Sequence, residues 1–217
     1  MIFPKEFNTS GANIPEEHYT IMREKLLAQG EKLVKTNRYF TIFAPRQSGK
    51  TTFFRLLGSK LESEGYEFCY ANFEGYNDAD MKGFIGKIHI EIKRGWQLNL
   101  NFNTIQDFFQ EIENIVDKKY VLVIDEIEGV NGEHLKVLLH GIRNLYQSRQ
   151  THSLKSIIMV GVTNITGTLE SATSPFNTNE ELQLPYFSTG EIEELLLQHE
   201  KATGQLFLKK CANASSL

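Results

Sequence analysis

Two apolar spacings alternate along the chain. Short runs rich in β-branched and aromatic residues lie at 39–43 (YFTIF), 66–73 (YEFCYANF), 120–124 (YVLVI) and 156–162 (SIIMVGV). Several of these lack an apolar–polar alternation, which predicts strands covered on both faces. The segments between them carry the helical spacing. Phe54, Leu57 and Leu61 share one face of 51–64, which Gly65 ends. Phe84, Ile88 and Ile92 do the same over 81–94. Ile105, Phe108, Phe109, Ile112 and Ile115 follow over 104–116, with Thr104 as the cap, and Leu135, Leu138, Leu139, Ile142 and Leu145 over 133–147. A short strand is expected at 182–184, before Pro185. Ser188 and Glu191 then form a capping box that opens a helix over 189–199.

Ahead of this core, residues 1–19 read as an irregular arm. Pro15-Glu16-Glu17 is expected to open a helix, since proline suits the first turn and carboxylates suit its dipole. Leu26, Leu27 and Leu33 continue it as one or two helices, broken at Gly30 and ending near Thr36 and Asn37. Residues 96–102 fit a loop or a short extended piece, and 209–217 a frayed tail. Strands alternating with helices in this way predict an α/β domain whose parallel sheet is covered on both sides.

Composition narrows the class. The 217 residues are 41% hydrophobic and 23% charged, enough for one sizeable core. A net charge of -4 gives no electrostatic footprint for nucleic acid. Lys93, Arg94 and Trp96 could form a basic patch, but a solvated helix end beside a half-buried indole is the better reading. Cys69 and Cys211 stand in unlike contexts, so neither a disulfide framework nor a metal site is indicated. No run approaches the roughly 18 apolar residues that span a bilayer, and the first 13 residues do not resemble a signal peptide. A cytoplasmic chain with no membrane partner is expected.

The chemistry lies at the tips of the strands. After 39–43 comes Ala44-Pro45-Arg46-Gln47-Ser48-Gly49-Lys50-Thr51, followed by Thr52 and a helix. This matches the phosphate-loop pattern G-x-x-x-x-G-K-[ST] between a strand and a helix, with alanine for the first glycine. Alanine is small, although a position needing positive φ would tolerate it poorly. Backbone N–H groups from Gln47 to Thr51 can wrap phosphates at a helix N-terminus. Lys50 brings a mobile charge and Thr51 a hydroxyl for Mg²⁺. The 120–124 run ends on Asp125-Glu126. There one carboxylate can hold Mg²⁺ and the other can orient or deprotonate an attacking water. Thr163-Asn164 ends the 156–162 run, and Asn164 either bonds the attacking water or γ-phosphate or is a turn asparagine.

These motifs, with the stretches FNTSGANIPEEHY, GIRNLYQSR and SPFNTNEELQLPYFSTGEIEELL, give a chain that resembles the AAA+ and STAND-like P-loop ATPases, most closely the bacterial AAA-like ATP-binding proteins. The resemblance implies a P-loop NTPase three-layer sandwich with strand order 5-1-4-3-2. It implies Lys50 and Thr51 as phosphate and Mg²⁺ ligands, Asp125 as the Mg²⁺ aspartate, Glu126 as catalytic base and Asn164 as sensor. The segment before the first strand commonly lies near the adenine, making His18 and Tyr19 candidates for base contact. An arm and helix at 1–37, an ATPase core at 38–187 and the start of a shortened helical lid with a tail at 188–217 follow. No arginine comes after Arg149, so a lid arginine is not expected, and Arg143 and Arg149 fit a solvated helix face better than an arginine finger.

The function expected is Mg²⁺-dependent ATP binding and hydrolysis driving a conformational switch. The alternatives are a nucleotide-dependent signalling or scaffold module with little hydrolysis, and a small-molecule kinase. ATP or ADP, an unidentified protein and other copies of the chain are the partners in view.

Overall fold

The structure is a computed structural model that describes residues 5–45, 47–74, 76, 80–126, 129–130, 132–161 and 181–207. Five parallel strands form one sheet: β1 (Phe40–Phe43), β2 (Tyr66–Asn72), β3 (Lys119–Asp125), β4 (Leu154–Gly161) and β5 (Glu181–Gln183). Their order is β2-β3-β4-β1-β5, the 5-1-4-3-2 arrangement expected, with β4 in the middle.

The uninterrupted apolar runs have the cause inferred for them. Successive side chains of a strand point to opposite faces, and both faces here are covered. Val121 and Val123 of β3, Ile158 and Val160 of β4, and Phe40 and Ile42 of β1 pack against α1 (Glu24–Lys35) and α2 (Lys50–Glu62). Leu122, Ile124, Ile157 and Met159 face α3 (Met81–Trp96), α4 (Ile105–Glu113) and α5 (Gly132–Gln147). The result is a three-layer sandwich.

Local capping signals hold at two helix starts. Thr104 and Asp107 form a capping box on α4, and Ser188 and Glu191 form the expected one on α6 (Thr189–Thr203). The Trp96 indole is buried, its N–H donating to the Glu67 carbonyl at 3.2 Å, and Arg94 is paired with Glu91. Cys69 is fully buried in the core, as its apolar context implied, and burial pushes its thiol up to about 12.

Two expectations before β1 are corrected. Pro15-Glu16-Glu17 makes a single turn: the Ile14 carbonyl accepts from Glu17 N (3.0 Å) and His18 N (2.8 Å). Glu6 and His18 then pair as an isolated parallel bridge, so this backbone is committed to the arm. The helix starts only at Glu24, after Arg23 in a left-handed conformation. Nor does Gly30 break α1. It is buried within the helix, and a Cβ there would lie 3.0 Å from Leu57 Cδ2 of α2. A mid-helix glycine costs about 1 kcal/mol, and burying one leucine contributes about 1.5–3 kcal/mol, so close packing outweighs propensity.

Candidate nucleotide-binding site

β1 delivers the phosphate loop to the carboxyl edge of the sheet. Ala44 is buried, and its N–H donates to the Gly161 carbonyl at 3.3 Å, extending the β1–β4 ladder. Its φ is not positive, so alanine in place of the first glycine carries no backbone strain. Ser48 folds inward, its N–H and Oγ both donating to the Pro45 carbonyl (3.3 and 2.8 Å). Gln47 (φ 61°) and Gly49 (φ 81°) turn the chain through left-handed conformations into α2. Gly49 is the N-cap. Among the described residues no side chain caps the first turn of α2, and no acidic residue lies in that turn. Its leading N–H groups and the positive end of its dipole suit an anion.

β4 lies between β1 and β3, so Lys50 reaches across the end of β4 to the tip of β3. Its ammonium pairs with Glu126 and lies 3.7 Å from Asp125 Oδ1. Asp125 is 8% exposed and accepts from the Glu126 N–H at 3.0 Å. Burial raises its carboxyl above the ordinary value, and Lys50 offsets only part of that. Glu126 is itself left-handed (φ 54°), a conformation that costs a non-glycine residue of order 1 kcal/mol and turns its side chain back to the loop.

A cavity of about 550 Å³ opens beside the loop. Gln47, Ser48, Gly49, Lys50, Thr51 and Thr52 line one end, and Tyr19, Arg23 and Phe187 are among the other lining residues. The Thr52 Oγ1 accepts from the Asn13 N–H at 3.0 Å, so this hydroxyl also ties the arm to α2. Tyr19 is 3% exposed, its hydroxyl without a partner among the described residues. Pro45, Asp125 and Glu126 are not among the lining residues, and the two carboxylates adjoin the site through their pairing with Lys50. His18 is also outside the lining: its Nδ1 accepts from Ile14 N at 2.9 Å and closes the turn. Arg46 and Asn164 lie outside the described residues. Arg143 is exposed, whereas Arg149 donates to the Tyr146 carbonyl and stacks over the Tyr146 ring.

Sequence reasoning missed Arg23. Its side chain is 5% exposed, and its Nε donates to Glu191 Oε1 at 2.9 Å. The guanidinium lies 4.3 Å from the Phe187 ring centroid, while both terminal nitrogens are buried with no hydrogen-bond partner among the described residues. This arginine comes from the segment ahead of α1 rather than from the chain after Arg149. No local pattern marks it, because Glu191 is 168 residues away.

A family profile described as AAA domain matches residues 33–169, more than half of the chain. The chain belongs to this AAA family. Among curated proteins, this AAA domain is similar to two proteins of Methanocaldococcus jannaschii, each described as an uncharacterized ATP-binding protein. They are 23% and 24% identical over 75% and 85% of the chain. The chain spans 56% and 63% of their lengths. Among solved structures, a Walker-type ATPase of Pyrococcus abyssi aligns over 96% of this chain and 65% of its own, with TM-score 0.71 and 14% identity. Cdc6p of Pyrobaculum aerophilum aligns over 83% and 49%, with TM-score 0.62 and 18% identity. At such identities the likeness is one of fold: the P-loop NTPase α/β sandwich.

Proposed function

We propose that this AAA domain binds Mg²⁺·ATP in the cavity beside the loop and hydrolyses it to drive a conformational switch. One observation carries the reading. Lys50, at the uncapped N-terminus of α2, is held by Glu126 and Asp125 from a strand two places away in the sheet. Phosphate loop and acid pair thus form one charge cluster.

The β- and γ-phosphates would take the first-turn N–H groups of α2 and the Lys50 ammonium, releasing Glu126 from its ion pair. Glu126 would then accept a proton from water as its oxygen attacks the γ-phosphorus and the β–γ bridging oxygen leaves with ADP. Thr51 and Asp125 offer a hydroxyl and a carboxylate, the hard oxygen donors that Mg²⁺ prefers. When bound, the ion would offset charge on the phosphates. Tyr19 and Arg23 line the same cavity and would face the rest of the nucleotide, whose oxygens would suit the two guanidinium nitrogens that have no partner among the described residues. Asn164 is assigned the sensor role by resemblance alone.

The test is phosphate release by Glu126→Gln and Lys50→Ala. Glu126→Gln should lose turnover by about 10²–10⁴-fold while retaining ADP affinity. Lys50→Ala should weaken ADP binding by about 10-fold or more, from losing a charge-assisted contact of about 1.5–3 kcal/mol. Wild-type turnover in Glu126→Gln would remove Glu126 from the chemistry. A nucleotide-dependent scaffold with slow hydrolysis is the second reading, favoured by the commitment of the Glu126 carboxylate to Lys50. It predicts ADP binding with no wild-type turnover above background.

A further inference from the structure

α6 buries none of its side chains, yet it is held in place at the rim of the cavity. Glu191 pairs with Arg23, and the His199 ring packs against Phe7 and Tyr19 with centroids 5.1 and 5.4 Å apart. Between these contacts the Gln198 carboxamide meets the backbone of Thr20 at two points. Thr20 N–H donates to Gln198 Oε1 at 3.3 Å, and Gln198 Nε2 donates to the Thr20 carbonyl at 3.0 Å. Thr20 is 8% exposed and lines the same cavity as the phosphate loop.

The chemistry of that contact is specific. One residue's N–H and C=O, used side by side, require a partner with an acceptor next to a donor, as a primary amide has. Adenine has the same pair on its Watson–Crick edge, N1 accepting and the N6 amino group donating. Guanine reverses it, with O6 accepting at the amino position and N1–H donating, so donor would face donor and acceptor face acceptor. Backbone atoms cannot flip to suit, so the polarity is fixed by the fold.

We propose that Gln198 is an internal stand-in for the adenine edge. The Thr20 backbone reads the base, Gln198 holds that position when α6 is docked, and an adenine nucleotide displaces the carboxamide and loosens α6 from the rim. This rests on the reading of the cavity as a nucleotide site and adds two things to it. It selects adenine over guanine without a base-specific side chain, and it couples base binding to the position of α6. Other contacts of α6, Arg23 to Glu191 and His199 to Phe7 and Tyr19, also lie at the rim, so losing the central pair bears on the attachment.

The test compares wild type with Gln198→Leu, which removes both hydrogen bonds at similar size, and with Gln198→Glu, which keeps the acceptor but sets a carboxylate against the Thr20 carbonyl. Affinities for ADP, GDP and inorganic pyrophosphate are measured by calorimetry. Removing an internal competitor of this strength should tighten ADP binding about 5- to 50-fold in both variants. Pyrophosphate, which engages only the loop, should bind all three proteins alike, and GDP should remain weak throughout. ADP affinity unchanged or weakened in the two variants, with pyrophosphate unaffected, would overturn the proposal and leave the nucleotide site standing. Equal tightening of ADP and GDP would overturn the base-edge account. Binding of neither ADP nor pyrophosphate to any of the three proteins would sink the nucleotide reading itself, and the proposal with it.

Discussion

Gly86 and Gly95 lie on the same face-to-sheet helix, α3, and the same substitution should have opposite effects at the two sites. A Cβ at Gly95 would lie 2.7 Å from Cys69 Sγ and 2.8 Å from both Cys69 Cα and Cβ. Two of those atoms belong to β2 and its side-chain root, so no rotamer change relieves the clash. α3 must lift from the sheet by most of an ångström, or β2 must bend. At Gly86 a Cβ meets nothing within 4 Å among the described residues. Alanine in a helix interior is favoured over glycine by about 0.8–1 kcal/mol, so Gly86→Ala should stabilise by up to that amount. Gly95→Ala also gains propensity, less so near the helix end, but overpacking costs about 1–3 kcal/mol and disturbs the buried Ile88, Ile92 and Trp96. The net expectation is about 1–2 kcal/mol destabilisation, or a fall of about 2–8 °C in Tm for a chain of this size. Thermal melts followed by circular dichroism, with urea titrations at 25 °C, measure both. A Gly95→Ala protein as stable as Gly86→Ala would show that α3 does not sit against β2 as closely as this, and would refute the packing argument.

Two predictions concern charged groups. Asp125 is buried with its carboxyl raised, so ionisation opposes folding at neutral pH; that opposition is absent below about 3.8, where the unfolded carboxyl is also protonated. Asp125→Asn should therefore stabilise the nucleotide-free protein at pH 7 by about 0.5–2 kcal/mol, with the gain shrinking as pH falls toward 3.8, while Mg²⁺ no longer enhances ADP affinity. A gain independent of pH in urea titrations would count against it. Burial raises Glu191, but the Ser188 N–H and hydroxyl and Arg23 outweigh it, leaving the carboxyl below its ordinary value. Its stabilisation is present above about 4.5 and is lost as pH falls through the lower, folded value. Glu191→Gln should cost about 1 kcal/mol at pH 7, and its Tm should converge on that of wild type in acid; a constant offset across pH would argue that the Arg23 pair is not the cause.

The sequence alone determined what depends on neighbours along the chain. Apolar runs mark strands because a parallel sheet buries both faces, and 3.6-residue spacing marks helices because one stripe must face that sheet. The cap at Thr104, the capping box at Ser188, the strand–loop–helix context of Gly49-Lys50-Thr51 and the carboxylates ending β3 are equally local, and all are legible. What fails locally is where a distant contact decides. Gly30 reads as a helix break until Leu57 packs on it, and Pro15-Glu16-Glu17 reads as a helix start until the Glu6–His18 bridge claims its backbone. His18 and Tyr19 are adjacent in sequence, yet only Tyr19 faces the cavity. Arg23 and Gln198 show the division most plainly. Each is an ordinary polar residue by composition and spacing. Only folding, which brings α6 against the arm across more than 160 residues of chain, makes one a buried, half-satisfied cation and the other the partner of the Thr20 backbone.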